Sequence, residues 1–277
     1  MTEHVDGHFS GAAGGRIYWQ GWTGPAEPRG AVVIAHGIAE HGGRYAHVGE
    51  RLAAAGFPTY AVDHHGHGRS AGTRGNFDRM AGVVADLDIA LRETGERHPG
   101  LPLFLLGHSL GGLISLEYAT GDQSRLAGLI LSGPAVEIAV GSKLERRAAG
   151  LLSRLTPNLG VVPLDSSTVS RDPAVLSAYD SDPLNYRGRT RARSGAEILT
   201  TADGIVAKLS RLTLPLLILQ GGDDRLVSPT SARIVAEHAS SEDLTLNVYD
   251  GLYHEVFNEP EKDTVLDDVV AWLSRHV

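Results

Sequence analysis

The sequence predicts an α/β fold in which a mostly parallel central sheet carries helices on both faces and one inserted cap. Short apolar runs recur along the chain, several of them ending in glycine, and helix-like segments separate them. Such runs are typical of strands buried on both faces, and their alternation with helices indicates parallel connections. The composition agrees, because 42% of the residues are apolar and 21% are charged, as in globular proteins.

The elements can be assigned in order along the chain. Roughly the first thirty residues contain two short strands with glycine-rich turns, and one of these strands covers residues 16–19. The later strands are predicted within residues 31–37, 58–68, 101–109, 126–133, 214–224 and 244–251. Helices are predicted near residues 47–55, 77–97 and 260–275, the last from apolar positions at helical spacing.

The alternation of strands and helices stops between residue 133 and about residue 211, where prolines and polar loops are frequent. We therefore predict an α/β core of residues 1–134 and 208–277. Residues 135–207 would form a cap, or lid, over the sheet edge at which ligands bind in such folds.

One cap segment has an apolar helical stripe, made of Leu144, Ala148, Leu151, Leu152 and Leu155. Basic residues lie off this stripe, at Lys143, Arg146, Arg147 and Arg154. Two interpretations stay open. The helix buries its apolar face on the core, which we favour, or it rests transiently on an anionic lipid surface.

Charge and composition exclude several classes of partner. The net charge is -8 and no long Lys/Arg cluster exists, so nucleic acid is not an expected partner. The chain has no cysteine, which excludes disulfides and thiolate metal sites. It has neither a signal-peptide pattern nor an apolar run of about 18 residues. We expect a soluble, cytoplasmic protein, peripheral at most at lipid surfaces, and leave its oligomeric state open.

The nucleophile is predicted from residues 107–111, which read Gly-His-Ser-Leu-Gly. This is the G-x-S-x-G motif of the α/β-hydrolase fold, in which the serine occupies a sharp turn between a strand and a helix. A buried strand precedes the motif and a helix-like run follows it, which favours this interpretation over a glycine-rich turn with an incidental serine. Ser109 is therefore the expected nucleophile, and serine rather than aspartate at this position disfavours epoxide or haloalkane chemistry.

A serine nucleophile needs a base and an acid that orients the base. In this fold the acid and then the histidine follow late strands. His254 follows the last strand, whereas His238 and His276 lie in or near helix-like segments. The loop after the preceding strand offers two acids, and we prefer Asp224 to Asp223 because an apolar pair after it can anchor the loop.

The oxyanion of an acyl-transfer intermediate needs two backbone N–H donors. One is expected from Leu110, directly after the nucleophile, and the other from Ile38 in the loop after residues 31–35. Gly37 allows the chain to turn closely there. This chemistry requires neither a metal nor an organic cofactor.

The chain resembles the monoacylglycerol lipases over nearly its whole length, from about residue 31 to residue 272. The cap segment 157–184 is the most specific part of this resemblance, because caps vary greatly among α/β-hydrolases. The resemblance also supports Asp224, since the family's acid directly precedes an arginine. The other segments that carry it are residues 36–45, 63–70, 107–112, 220–227 and 251–261.

The resemblance implies a polar cluster that binds the glycerol end of the substrate. Its members would be Glu40, Arg44, His108 and Tyr179. Two free hydroxyl groups of a buried glycerol need such donors and acceptors. For each residue the alternative is a structural ion pair or hydrogen bond that supports the loop.

Two positions depart from the family pattern. His65 stands where arginine is common, which puts ion pairing around Asp63 in doubt. Ala39 stands where glycine is common, and its methyl group would narrow the head-group end. Neither departure removes a catalytic group.

The resemblance implies a monoacylglycerol lipase that releases a fatty acid and glycerol through an acyl-enzyme. Its expected partner is a small-molecule lipid ester. The alternative on the same triad is a general carboxylesterase or lysophospholipase. A non-catalytic ligand-binding protein of the same fold is disfavoured, because all three expected triad residues are present.

Overall fold

The computed structural model describes residues 2–138, 150, 153–163 and 165–277. Within them, eight strands form one sheet in the order β1-β2-β4-β3-β5-β6-β9-β10. In chain order these strands are β1 (Glu3–Ser10), β2 (Arg16–Thr23), β3 (Ala31–Ala35), β4 (Thr59–Val62), β5 (Leu103–His108), β6 (Gly128–Ser132), β9 (Leu216–Gly221) and β10 (Leu244–Tyr249). The first two pairings, β1 with β2 and β2 with β4, are antiparallel, and all the others are parallel.

Helices cover both faces of this sheet. They are α1 (Ala46–Ala54), α2 (Met80–Arg97), α3 (Leu110–Gly121), α4 (Pro173–Ser181), α5 (Ala192–Ile205), α6 (Thr230–His238) and α7 (Lys262–Arg275). Successive strand residues point to opposite faces, so Val33 packs with α2, α3, α5 and α6, whereas Val32 packs with α1 and α7. The chain therefore has the predicted α/β-hydrolase architecture.

Several predicted elements begin one to three residues later than the sequence pattern indicates. The helix predicted from residue 77 begins at Met80, because Asp78 adopts a left-handed backbone with φ 63°. The strand predicted from residue 101 begins after Pro102, which has no N–H to donate to the sheet. The helix predicted from residue 260 begins at Lys262.

The region between β6 and β9 contains a second, two-stranded sheet of β7 (Gly160–Val162) and β8 (Thr190–Arg191). Helices α4 and α5 also belong to it. The far end of α5 packs into the core, because Ala202 and Ile205 are buried among residues from α2 and α3. The division into core and cap at residues 134/135 and 207/208 stays a prediction.

The predicted apolar stripe of the cap falls mostly outside the described residues. Leu155, its described member, is 73% exposed. Among the described helices, none combines the length and the apolarity that crossing a bilayer requires.

Candidate active site

Ser109 lies at a sharp turn between β5 and α3. Its backbone has φ 54° and ψ −115°, a conformation that L side chains rarely adopt. The glycines two residues away on each side have no room for a side chain. A Cβ at Gly107 would collide with Ser115 and Gly111, and one at Gly111 would collide with the carbonyl of Ala35. The strained serine thus lies at the carboxyl edge of the sheet, where it is buried beneath the surrounding loops.

His254 and Asp224 meet at the same edge, on the loops after β10 and β9. His254 Nδ1 lies 2.7 Å from Asp224 Oδ2. The other carboxylate oxygen accepts hydrogen bonds from the Leu226 and Val227 amides, both at 2.9 Å. Burial opposes ionisation of Asp224, but these bonds and the one from His254 hold its pKa below the usual value. Asp223, the alternative acid, is not the residue that contacts His254.

The free nitrogen of His254 is oriented for proton transfer. Because Nδ1 donates to an acceptor-only carboxylate, Nε2 of the neutral ring carries the lone pair. Within the described residues, this buried Nε2 has no hydrogen-bond partner, so it is not bonded to the Ser109 hydroxyl. Both side chains line one cavity. Catalytic hydrogen bonds of unliganded enzymes are often long and shorten when substrate binds.

Two cavities of different character meet at Ser109. The first, called here the polar cavity, has about 30 Å³ of open volume, and its walls include Glu40, His108, Asp165, Tyr179, His254 and Glu255. The second, the apolar cavity, has about 320 Å³, and its described walls are mostly aliphatic (Leu110, Ala135, Ile138, Ile198 and Val227), with Glu137, Thr190 and Ser228 as polar members. Ile38, Ser109 and Leu226 line both. An ester carbonyl at Ser109 would thus place its two substituents in different surroundings.

The two expected oxyanion donors border this junction. Leu110 is the first residue of α3, and the first bond within the helix runs from Leu113 N to Ser109 O. The Leu110 amide therefore has no acceptor inside its own helix. The Ile38 loop is held by Glu40, whose carboxylate accepts from the Gly37 amide at 2.6 Å.

A buried charge network forms one wall of the polar cavity. Arg44 donates to Glu40 at 2.7 Å and also to both oxygens of Glu255 at 2.7 and 2.6 Å. Its guanidinium lies 4.6 Å from the centre of the Tyr179 ring. Arg44 itself lines neither cavity, whereas the other three residues line the polar one. Direct contact between Arg44 and a substrate stays a prediction.

His108 stands between the nucleophile and this network. Its ring lies 4.7 Å from that of His254, and its Nδ1 is 3.1 Å from Ser132 Oγ. Burial and the neighbouring His254 lower the pKa of His108 to about 3. At neutral pH the residue therefore offers an uncharged imidazole to the polar cavity.

With this geometry established, comparison with known proteins identifies the family. The family model described as "Serine aminopeptidase, S33" matches residues 26–261. A monoacylglycerol lipase from Mycolicibacterium smegmatis is 42% identical over 97% of this chain and 96% of its own length. Human monoglyceride lipase is 34% identical over 97% of this chain and 90% of its own length. The crystal structure of a Paleococcus ferrophilus monoacylglycerol lipase superposes with a TM-score of 0.83 at 30% identity, covering 99% of this chain and 100% of that one.

The chain belongs to the monoacylglycerol lipase family of α/β-hydrolases. The structure accommodates both positions at which the chain departs from the family pattern. Ala39 has φ 65°, a backbone that favours glycine, but its buried side chain lines neither cavity. Asp63 accepts from the Gly42 and Arg69 amides at 2.8 Å each, so its loop is held without an arginine at position 65.

The sequence analysis did not predict a role for two side chains that lie next to residues of the candidate triad. Glu255 directly follows His254 in a segment that carries the family resemblance, but nothing in the sequence links it to Arg44, 211 positions away. Gln220, the second, ends the apolar run of β9. Its Nε2 donates to Asp224 at 3.0 Å, and its buried oxygen has no partner among the described residues.

No group of three or more His, Asp or Glu side chains in the described part of the chain is arranged to hold a metal ion. The site as described is made of amino-acid side chains and backbone amides.

Proposed function

We propose that the protein hydrolyses monoacylglycerols to a fatty acid and glycerol. The observation that carries this proposal is the position of Ser109 between a small polar cavity and a tenfold larger apolar one. A monoacylglycerol has the same division, because its ester carbonyl joins a hydroxyl-rich head to an aliphatic tail. The names of its relatives in the family support the same substrate class.

In the first step the Ser109 hydroxyl attacks the ester carbonyl while His254 Nε2 takes its proton. Asp224 stabilises the imidazolium that forms and keeps the ring in the required tautomer. The amides of Ile38 and Leu110 donate to the oxyanion of the tetrahedral intermediate. The intermediate collapses when the ester C–O bond breaks, and His254 returns the proton to the departing glycerol oxygen.

In the second step water replaces glycerol. His254 takes a proton from the water, whose oxygen attacks the acyl-enzyme carbonyl, and the proton then returns to Ser109 as the fatty acid leaves. The acyl tail occupies the apolar cavity throughout. Each methylene that it buries there contributes about 0.8 kcal/mol.

We also propose that the cap makes a transient contact with lipid surfaces as part of this function. Leu155, Leu159 and Val162 are exposed, and Arg154 directly precedes Leu155 in the sequence. Aliphatic side chains next to a cation suit the interface of an anionic bilayer. Leu155→Asp should reduce co-sedimentation with anionic vesicles without lowering the rate on a soluble ester; equal binding by both proteins would contradict the contact. The cytoplasmic location remains a prediction from the sequence.

The test of the proposed function compares triad variants on monoacylglycerols. Ser109→Ala should abolish turnover and labelling by a fluorophosphonate probe, because the nucleophile is lost. Asp224→Asn should lower kcat by about 10⁴-fold, because the histidine loses the acceptor that fixes its tautomer. Asp223→Asn is the matched control and should retain activity. Substantial turnover by Ser109→Ala, or equal losses in the two aspartate variants, would refute the assignment.

A further inference from the structure

The polar cavity is bordered by carboxylates and by no exposed cation. Glu40, Asp165 and Glu255 line it, and among the described residues no lysine or arginine does. Burial raises the pKa of Glu255, but the guanidinium of Arg44 outweighs this and lowers the pKa to about 2. Hydrogen bonds from Ser167 keep the pKa of Asp165 below its usual value. Both are therefore ionised at neutral pH.

Arg44 is the cation paired with two of these carboxylates, and it does not itself line the cavity. Its donors are engaged by Glu40 and by both oxygens of Glu255, and the ring of Tyr179 covers its face at 4.6 Å. Arg44 is therefore paired with the side chains that lie between it and a bound head group. An incoming anion would meet the carboxylates first.

This arrangement offers anionic hydrogen-bond acceptors, whereas its side-chain donors, such as the Tyr179 hydroxyl, are neutral. Ionised carboxylates can only accept, and Glu40 already receives three donors, from Gly37, Tyr45 and Arg44. Hydroxyl groups of a polyol can donate to such a wall. A phosphate ester has the opposite requirement, because it carries negative charge and needs donors. Bringing two like charges together in a confined cavity is costly.

We propose that Glu255 is a specificity-determining residue that makes the polar cavity accept neutral polyol head groups and reject anionic phosphate esters. This inference rests on the proposed function, which it deepens. It predicts that the protein is a poor lysophospholipase on anionic substrates even though it has an apolar cavity for their acyl chains. The repulsion acts on the head group and does not depend on the reactivity of the ester carbonyl.

The experiment compares kcat/KM for three octanoyl esters at concentrations at which they are monomeric. The first is 1-octanoylglycerol, the second its 3-phosphate, and the third a neutral ester of diglycerol with a bulkier head. The wild-type protein should strongly prefer the first ester to the phosphate. Glu255→Gln keeps the side-chain volume, removes one charge and weakens one partner of Arg44. It should raise the phosphate-to-glycerol ratio by about tenfold or more.

Two further variants make the result interpretable. Asp165→Asn removes an exposed charge from the same cavity and should shift the ratio in the same direction even if Glu255→Gln folds poorly. Glu242→Gln makes the same chemical change at an exposed position outside both cavities, and should leave the ratio unchanged.

The possible failures are distinguishable. If wild-type protein cleaves 1-octanoylglycerol and its phosphate at equal rates, the inference is wrong and the proposed function stands. If the diglycerol ester is as poor as the phosphate and neither cavity variant changes the ratio, size and not charge selects the head group, which also overturns the inference. If 1-octanoylglycerol is not cleaved while a fluorophosphonate still labels Ser109, the proposed function itself fails.

Discussion

On the polar side of Ser109 the walls include the carboxylates of Glu40, Asp165 and Glu255, whereas on the apolar side they are mostly aliphatic. Arg44 joins its own loop, through Glu40, to the loop after β10, through Glu255. The apolar walls include Ile198 of α5 and Val227 near the acid. The polar walls make directional contacts around a small volume, and the apolar walls make non-directional contacts around a large one.

This difference separates two kinds of recognition. Hydrogen bonds between buried charges have specific geometries, so the polar cavity can discriminate closely between head groups. Dispersion contacts with aliphatic walls vary smoothly with chain length, so the apolar cavity can accept many acyl chains. The comparison therefore predicts that single changes on the polar side have larger effects than single changes on the apolar side.

The largest effect is expected from Arg44→Met, which removes the cation shared by two buried carboxylates. Glu40 and Glu255 would remain buried without compensation, which should reduce the free energy of unfolding by about 3–5 kcal/mol. The control is Arg51→Met, whose ion pair with Asp267 is 50% and 62% exposed and should contribute less than about 1 kcal/mol. Urea unfolding of both variants tests this. Equal losses of stability in the two variants would show that the charge network does not stabilise the polar side.

On the polar side, lowering the pH should also reduce stability, by an intermediate amount. The loop that carries Ile38 begins beside three buried histidines, His36, His64 and His67. Burial, together with nearby histidines and, for His67, also Arg74, lowers their pKa values, to about 3 for His64 and about 4 for His67. Above pH 6.5 neither the folded nor the unfolded chain protonates them. As the pH falls below this value only the unfolded chain gains the protons, so stability decreases.

Each of these histidines should contribute a slope of about 1.4 kcal/mol per pH unit between the unfolded and folded pKa values. Urea unfolding between pH 7 and pH 4.5 measures it. His64→Asn should lower the slope, even if it also lowers stability at pH 7. An unchanged slope in His64→Asn would mean that this residue is protonated in the folded protein.

The sequence predicted the elements that periodicity and turn chemistry control. Every strand of the eight-stranded sheet from β3 onwards lies within its predicted range, whereas β7 and β8 were not predicted. The serine turn and the Asp224–His254 contact follow from local motifs, because each residue lies directly after a strand and parallel strands end at one edge. A local pattern is sufficient when the fold itself brings the residues together.

The network behind the polar cavity could not be predicted in this way. Glu255 reaches Arg44 across 211 positions, and the spacing of neither residue indicates the partner. Asp165 lines the cavity from the region between β6 and β9, where short strands and helices lack a clear period. Gln220 belongs to a buried strand, and only side-chain packing reveals that it donates to Asp224. Such contacts depend on tertiary structure and not on sequence pattern.

The smallest effect is expected on the apolar side, from Ile198→Trp. The larger ring would fill part of the apolar cavity, so the last methylenes of a long acyl chain would lose their burial. Each lost methylene costs about 0.8 kcal/mol, or roughly fourfold in kcat/KM. We expect kcat/KM to fall for long-chain monoacylglycerols and to stay unchanged for short ones. Val248→Trp, at an exposed position of β10 outside both cavities, is the control. If Ile198→Trp lowered the rates equally for all chain lengths, the apolar cavity would not be the acyl site, and the division between the two sides of Ser109 would lose its functional meaning.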